Sequence, residues 1–175
     1  LQDETSPVRC DAVLTARRGV ALAVKTADCV PLLLVDREKQ VVGVVHAGWR
    51  GTALGIAAKA VKTLKERFDS KPVDILAAIG PAVGACCYQV DGKVYDAFKK
   101  LSAVRERAFR ACQDVEGRWM LDLESANIIQ LVEAGIPREN IFSAALCTSC
   151  RRDLFFSHRA ERGGTGRHLS FIVLN

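Results

Sequence analysis

Short apolar runs dominate the opening of the chain. Ala12–Thr15, Gly19–Lys25, Val30–Val35 and Val41–His46 are rich in Val and Leu, and are separated by Arg17-Arg18-Gly19, by Asp28 and by the charged stretch Asp36–Gln40. The pattern predicts four strands, and so little polar alternation predicts burial on both faces. Leu54, Ala57, Val61, Leu64 and Phe68 then recur at three- and four-residue steps with Lys59, Lys62, Lys65 and Glu66 opposite, the period of an amphipathic helix. Val73–Ile79 reads as a further strand stopped by Gly80-Pro81, since proline cannot donate to a ladder. Lys93–Leu101 and Leu123–Ala134 read as helices, the second stopped by Gly135 and Pro137, while Ile141–Leu146 and Leu169–Leu174 read as strands. The polar opening Leu1–Cys10 reads as loop. Strands first and an irregular alternation afterwards predict an α+β (mixed α/β) fold, a sheet covered by helices.

A length of 175 residues is that of one domain, spanning 1–175. No apolar run approaches the roughly 18 residues of a membrane span, and the start lacks the basic-then-apolar layout of a secretion signal. The expectation is a cytoplasmic protein with no membrane partner, a monomer or a homodimer. Lys and Arg exceed Asp and Glu by 25 − 20 = 5. Much of that excess lies between Cys147 and His168, where Arg151, Arg152, Arg159, Arg162 and Arg167 face only Asp153 and Glu161. Such a segment is either a solvated basic edge or a site for phosphate or carboxylate. With aromatics at 6%, the interleaved basic and aromatic surface of a nucleic-acid binder is missing, so no nucleic-acid partner is expected. Seven cysteines, two of them the vicinal Cys86-Cys87, predict a reducing compartment rather than a disulfide framework.

The candidate chemistry begins with the histidines, His46, His158 and His168. His46 ends an apolar strand and opens His46-Ala47-Gly48-Trp49-Arg50-Gly51, directly before the predicted helix. Gly48 and Gly51 would let a ligand approach the backbone, the first-turn amides would attract an anion, and Arg50 would add a planar donor for phosphate or carboxylate. Cys29 lies in Thr26-Ala27-Asp28-Cys29-Val30-Pro31, seventeen residues before His46. If the intervening strands pair, the two meet, as a nucleophile and base or as half of a metal site. Cys147-Thr148-Ser149-Cys150 has the spacing of a zinc half-site, but no second C-x-x-C exists and it reads as a tight turn. Phe155-Phe156-Ser157-His158-Arg159 and Gly163-Gly164-Thr165-Gly166-Arg167 read as a basic, glycine-rich loop suited to closing over a ligand.

Taken in order, Thr26–Pro31, His46–Gly51, Ile79–Gly84, Cys147-Thr148 and Phe155–Arg159 with Gly166-Arg167 resemble the YfiH/laccase-domain family, variously called multi-copper polyphenol oxidoreductase and purine nucleoside phosphorylase. The resemblance covers about Asp11 to Leu174, and its most specific string is His-Ala-Gly-Trp-Arg-Gly. It implies a layered α/β/β/α sandwich, shared at a distance with cysteine hydrolases of the cytotoxic necrotizing factor type. It also implies zinc, with copper as the other metal, held by two histidines and one cysteine. Cys29 and His46 match two of these ligands. The further histidine belongs to a Gln-Val-His-Gly-like motif upstream of the first strand, which this sequence lacks, and neither His158 nor His168 fills its position. The chain does not open on Met, and the expectation is that a portion carrying that histidine precedes it.

The implied activities are phosphorolysis of adenosine, inosine, guanosine and methylthioadenosine, and deamination of adenosine. The implied partners are a purine nucleoside and phosphate. On this sequence Cys29 and His46 are the catalytic and metal-binding candidates, and Arg50, Gly48, Gly51, His158, Arg159 and Arg167 the substrate-binding ones. The laccase name fits less well, because blue copper takes two histidines and a cysteine and oxygen reduction needs a further histidine cluster, against three histidines in all. The alternatives are a metal-free cysteine hydrolase or deamidase with Cys29 as nucleophile and His46 as base, or a noncatalytic partner-binding or cell-wall quality-control protein contacting others through Arg151–Arg167.

Overall fold

The computed structural model describes residues 10–175; most of the predicted opening loop, Leu1–Arg9, lies outside them. Four strands come first: β1 (Ala12–Thr15), β2 (Ala21–Thr26), β3 (Val30–Asp36) and β4 (Val41–Ala47). Next come helices α1 (Trp49–Ala53) and α2 (Ile56–Phe68), then β5 (Ile75–Ile79) and β6 (Gln89–Asp91). Helices α3 (Gly92–Ala97) and α4 (Ser102–Ala108) precede β7 (Phe109–Ala111) and β8 (Arg118–Leu121). The chain closes with α5 (Leu123–Glu133), β9 (Ile141–Ser143) and β10 (His168–Val173).

The main sheet runs β1-β4-β3-β5-β9, antiparallel except for the parallel β5/β9 pair. β3 and β4 are its centre. Their runs of Val and Leu are buried almost throughout, with Val30, Leu32, Leu34 and Val45 wholly inaccessible. They turn at Asp36, whose Oδ1 accepts from the amides of Glu38 and Lys39, both at 2.9 Å, which fixes the hairpin register. One face of the sheet is covered by α2, through Ala57, Val61 and Leu64. Against the other packs a ribbon of β2 paired with β10.

The mixed α/β architecture is therefore as expected, but the burial of β1 and β2 is not. β2 alternates exposed and half-buried positions, because it lies in the outer ribbon. The outer face of that ribbon leaves Leu169 and Phe171 about 60% exposed. The predicted helix beginning at Leu54 is also corrected. Helix starts at Trp49, breaks at Gly55 (φ +75°), where glycine tolerates the left-handed backbone, and resumes at Ile56. Leu54, at the break, is exposed rather than core. The strand predicted over Val73–Ile79 starts only at Ile75, and Ile141–Leu146 shortens to three residues. The sheet β6-β8-β7 and helix α4 were not predicted, because strands of three or four residues carry too few positions to show a period.

A buried polar network sets the loop after β4. Thr52 on α1 donates its hydroxyl to the Gly48 carbonyl at 3.0 Å, and its own carbonyl accepts from Gln130 Nε2 on α5 at 2.7 Å. Asn127 Nδ2 reaches Thr52 Oγ1 at 3.1 Å and the Leu123 carbonyl at 2.8 Å. Thr52, Asn127 and Gln130 are all inaccessible or nearly so, which makes each of these bonds costly to lose. Gln130→Ala removes one of the two donors to the Thr52 carbonyl, leaving the Gly55 amide at 2.9 Å, and is expected to cost about 1 kcal/mol in urea unfolding, with the slope of the transition unchanged.

Candidate active site

Strands β3 and β4 pair with Val30 opposite Ala47 and Pro31 opposite His46, so Cys29 arrives beside His46 across the hairpin mouth. The Cys29 thiol is near enough to the imidazole to act on its titration. His46 Nδ1 lies 3.0 Å from Asp11 Oδ1, leaving the other ring nitrogen for the sulfur. Asp11 is brought there by β1, and its carbonyl accepts from the His46 amide at 2.7 Å. Cys29 raises the His46 pKa to about 9, against the lowering effect of burial and with help from Asp11. Gly48 makes this approach possible: a Cβ there would stand 3.0 Å from Cys29 Sγ and 3.9 Å from His46 Cε1.

A cavity of about 750 Å³ opens over the pair, within the roughly 300–1,000 Å³ of small-molecule sites. Its lining brings together Cys29, His46, Arg50, His158, Arg159 and Arg167, six of the residues singled out in the sequence. Lys25 and Arg162 add to the charge, so five cationic side chains face the single carboxylate of Asp28. Trp49 and Tyr88 give it aromatic surface; the Arg50 guanidinium lies 4.3 Å from the Trp49 ring centre, and that of Arg159 lies 5.0 Å from Tyr88. The Thr26 hydroxyl, at the cavity edge, is buried without a partner among the described residues.

Other candidates sit elsewhere. Gly51 is outside the lining, where a Cβ would meet Ile56 Cγ2 at 3.4 Å. The helix opening at Trp49 is five residues long, and peptide dipoles summed over so few residues make a weak anion site, so the cationic side chains are left to attract the anion. His168 points away: its Nε2 accepts from the Phe156 amide at 2.8 Å and its ring meets Phe155 and Phe156. The basic segment divides, with Arg159, Arg162 and Arg167 at the cavity and Arg151 paired in solvent with Asp153 at 2.9 Å.

Asp28 holds these parts together and was not among the sequence candidates. It is 8% exposed and adopts φ +86°, a strained conformation for a residue with a side chain. Its Oδ1 accepts from Thr148 Oγ1 at 2.6 Å, its Oδ2 from the Arg159 amide at 2.5 Å, and its carbonyl from the Val83 amide at 2.9 Å. The signal for it in the sequence was an acid wedged between two apolar strands. Tyr88 and Asp11 carried no signal at all.

Cys147 and Cys150, read as a tight turn, do form one, but they do not stand alone. Their sulfurs and those of Cys86 and Cys87 lie within 4.8 Å of one another, and among the described residues no other group of three or more His, Cys, Asp or Glu ligand atoms converges so closely. Cys86 and Cys87 are vicinal and so carry no C-x-x-C spacing.

Two outcomes follow. In metal-stripped protein the His46 imidazolium should persist to about pH 9 in an NMR titration, falling toward 6.5 in Cys29→Ser. Because folding raises this pKa, the stabilisation is fully present below pH 6.5 and is lost as pH rises through about 9. Asp28→Ala leaves the Thr148 hydroxyl and the Arg159 amide without acceptors and is expected to cost about 3 kcal/mol in urea unfolding, at roughly 1–3 kcal/mol for each stranded group.

The family model described as multi-copper polyphenol oxidoreductase laccase matches residues 1–175. The chain is 46% identical over 162 residues to the purine nucleoside phosphorylase YlmD of Geobacillus stearothermophilus, covering 93% of this chain and 59% of that protein. It is 39% identical over 168 residues to the adenosine deaminase RL5 of an unknown prokaryotic organism, covering 93% of this chain and 61% of that protein. A crystal structure of the hypothetical protein YfiH of Bacillus licheniformis superposes with a TM-score of 0.90 at 48% identity, over 94% of this chain and 61% of that one. The chain thus spans about three fifths of the length of these relatives. With the ordered motifs, the layered fold and a match along its whole length, the chain belongs to the YfiH-type laccase-domain family.

Proposed function

We propose that the cavity binds a purine nucleoside together with inorganic phosphate and catalyses phosphorolysis, with deamination of adenosine as a second outcome at the same site. The single observation that carries this reading is the convergence of five cationic side chains and two aromatic rings on the Cys29–His46 pair. The cations match a phosphate dianion and the rings match a purine. Adenosine, inosine, guanosine and methylthioadenosine all present that same base and ribose.

In phosphorolysis a phosphate oxygen bonds to the ribose anomeric carbon as the bond to the base nitrogen breaks, releasing purine and ribose 1-phosphate. The anomeric carbon gains positive charge on the way, so the phosphate must be held close with its own charge only partly neutralised. Arg50, its guanidinium 4.3 Å from the Trp49 ring centre, would hold it, with Arg159 and Arg167 lining the same cavity. His158, which lines the same cavity, would bond the ribose or the base edge.

Cys29 and His46 fit a zinc or copper site in donor chemistry. A sulfur and an imidazole nitrogen stand side by side, and Asp11 orients the ring as carboxylates orient metal-bound histidines. When bound there, zinc would supply Lewis acidity and a water acidic enough to act at neutral pH, the requirement of deamination. The third ligand that the resemblance implies is a histidine for which these 175 residues hold no matching motif. Seven unpaired cysteines suit a reducing, cytoplasmic setting.

A second reading rests on the order Cys29, His46, Asp11, which is that of nucleophile, base and orienting acid in a metal-free cysteine hydrolase. Adenosine turnover with and without phosphate separates the two. Adenine formed only with phosphate marks phosphorolysis, inosine marks deamination, and full activity in chelator with loss on alkylation of Cys29 marks the hydrolase. In the first case Arg50→Ala should raise the phosphate KM at least 10-fold and Cys29→Ser should lower kcat at least 100-fold; an unchanged KM for phosphate removes Arg50 from its role.

A further inference from the structure

Outside the cavity, four sulfurs meet where two distant turns touch. Cys86 and Cys87 lie in the turn after β5, and Cys147 and Cys150 in the turn after β9. Cys150 Sγ is 3.5 Å from Cys86 Sγ and 3.4 Å from Cys87 Sγ, and all four are within 4.8 Å of one another. With zinc–sulfur bonds of about 2.3 Å, the edges of a tetrahedron of thiolates are about 3.8 Å. The observed spread brackets that edge, so small side-chain rotations complete the polyhedron.

The surroundings are built for sulfur. The Gly84 amide donates to Cys147 Sγ at 3.2 Å, a bond that stabilises a thiolate. A Cβ at Gly84 would stand 3.2 Å from Cys147 Cβ and 3.3 Å from Cys86 Sγ, so a glycine is what lets the two turns close. The backbones are already in register there, with Ala82 bridged to Cys147 and the Thr148 amide donating to the Ala82 carbonyl at 3.0 Å. Two disulfides satisfy this arrangement less well, because Cys150 stands equally close to both members of the vicinal pair and can bond only one.

We propose that Cys86, Cys87, Cys147 and Cys150 form a closed tetrathiolate site for a structural zinc ion, separate from the Cys29–His46 pair. Four sulfur ligands leave no open position, which suits structure rather than catalysis. The ion would pin together the turns that carry Val83 and Tyr88 on one side and Thr148 on the other, and through Thr148 the carboxylate of Asp28. The site does not depend on what the cavity binds.

The test uses the Cys29→Ser chain, purified under reducing conditions, so that the cavity pair cannot contribute a thiolate site. Elemental analysis should find one zinc per chain. Titration with an organomercurial in the presence of a zinc-sensitive dye should release that zinc as four thiols react. The cobalt(II)-substituted chain should show tetrahedral visible bands and a sulfur-to-cobalt charge-transfer band of four-thiolate intensity. Adding Cys87→Ser and Cys150→Ser should abolish the zinc, and chelation of the Cys29→Ser chain should lower Tm by about 10 °C. If the double replacement does not fold, the cobalt spectrum and the mercurial titration decide the matter alone. Absence of zinc in the Cys29→Ser chain, zinc unaffected by the double replacement, or an octahedral cobalt spectrum would each overturn the proposal.

Discussion

One buried carboxylate organises the site. Asp28 sits at a left-handed backbone position between two strands, and its two oxygens and its carbonyl bond three separate segments: Thr148, the Arg159 amide and the Val83 amide. Burying a charge is costly unless it is fully bonded and surrounded by opposite charge, and here both conditions hold. The cationic lining of the cavity offsets its field, and each oxygen has a donor. The strained backbone is tolerated because these bonds over-determine it. That backbone position lies between the end of β2 at Thr26 and the start of β3 at Val30, and the next residue, Cys29, stands beside His46.

The opposite wall is set from beneath. Thr52, Asn127 and Gln130 tie the loop that follows β4 to α5, fixing the Gly48 carbonyl and hence the Trp49-Arg50 step at the cavity rim. The two networks act on the two ends of the same hairpin, one through Asp28 and one through Thr52. Between them they hold a sulfur, an imidazole and a guanidinium at the hairpin mouth, while His158, Arg159, Arg162 and Arg167 come from the loop before β10. That division, a hairpin mouth and a cationic rim supplied in part by a loop, is the usual way a scaffold carries chemistry.

How far the sequence revealed this depended on the range of each signal. The β3–β4 hairpin was legible because two apolar runs flank a charged turn, and their pairing alone brings Cys29 to His46. The same reasoning failed for β2, whose apolar residues lie in a ribbon with one open face; hydrophobicity without period does not say which sheet a strand joins. Arg50, Arg159 and Arg167 were found through motif and charge. Asp11, Asp28 and Tyr88 were missed because each acts through a contact made only by tertiary structure, between residues 35 to 131 positions apart in the bonds from Asp11 and Asp28. The cysteine cluster was half visible. Cys147 and Cys150 have the spacing of a half-site, but their complement, Cys86-Cys87, becomes a complement only when the turn after β5 lies against the turn after β9.

The two sulfur-bearing places differ in ways that separate their roles. Cys29 has one imidazole beside it, a carboxylate behind that ring and an open cavity in front, so its environment leaves room for a reactant. The four clustered sulfurs face one another, and the Gly84 amide donates to that of Cys147. A single thiol next to an acid–base group suits chemistry, whereas four thiols without one suit cross-linking. Since Thr148 lies between Cys147 and Cys150 and bonds Asp28, anything that tightens the cluster also tightens the carboxylate next to Cys29 in the chain. The cluster and the cavity pair are thus joined at Asp28, by the 2.6 Å bond from the Thr148 hydroxyl to its carboxylate and by the bond from the Val83 amide to its carbonyl.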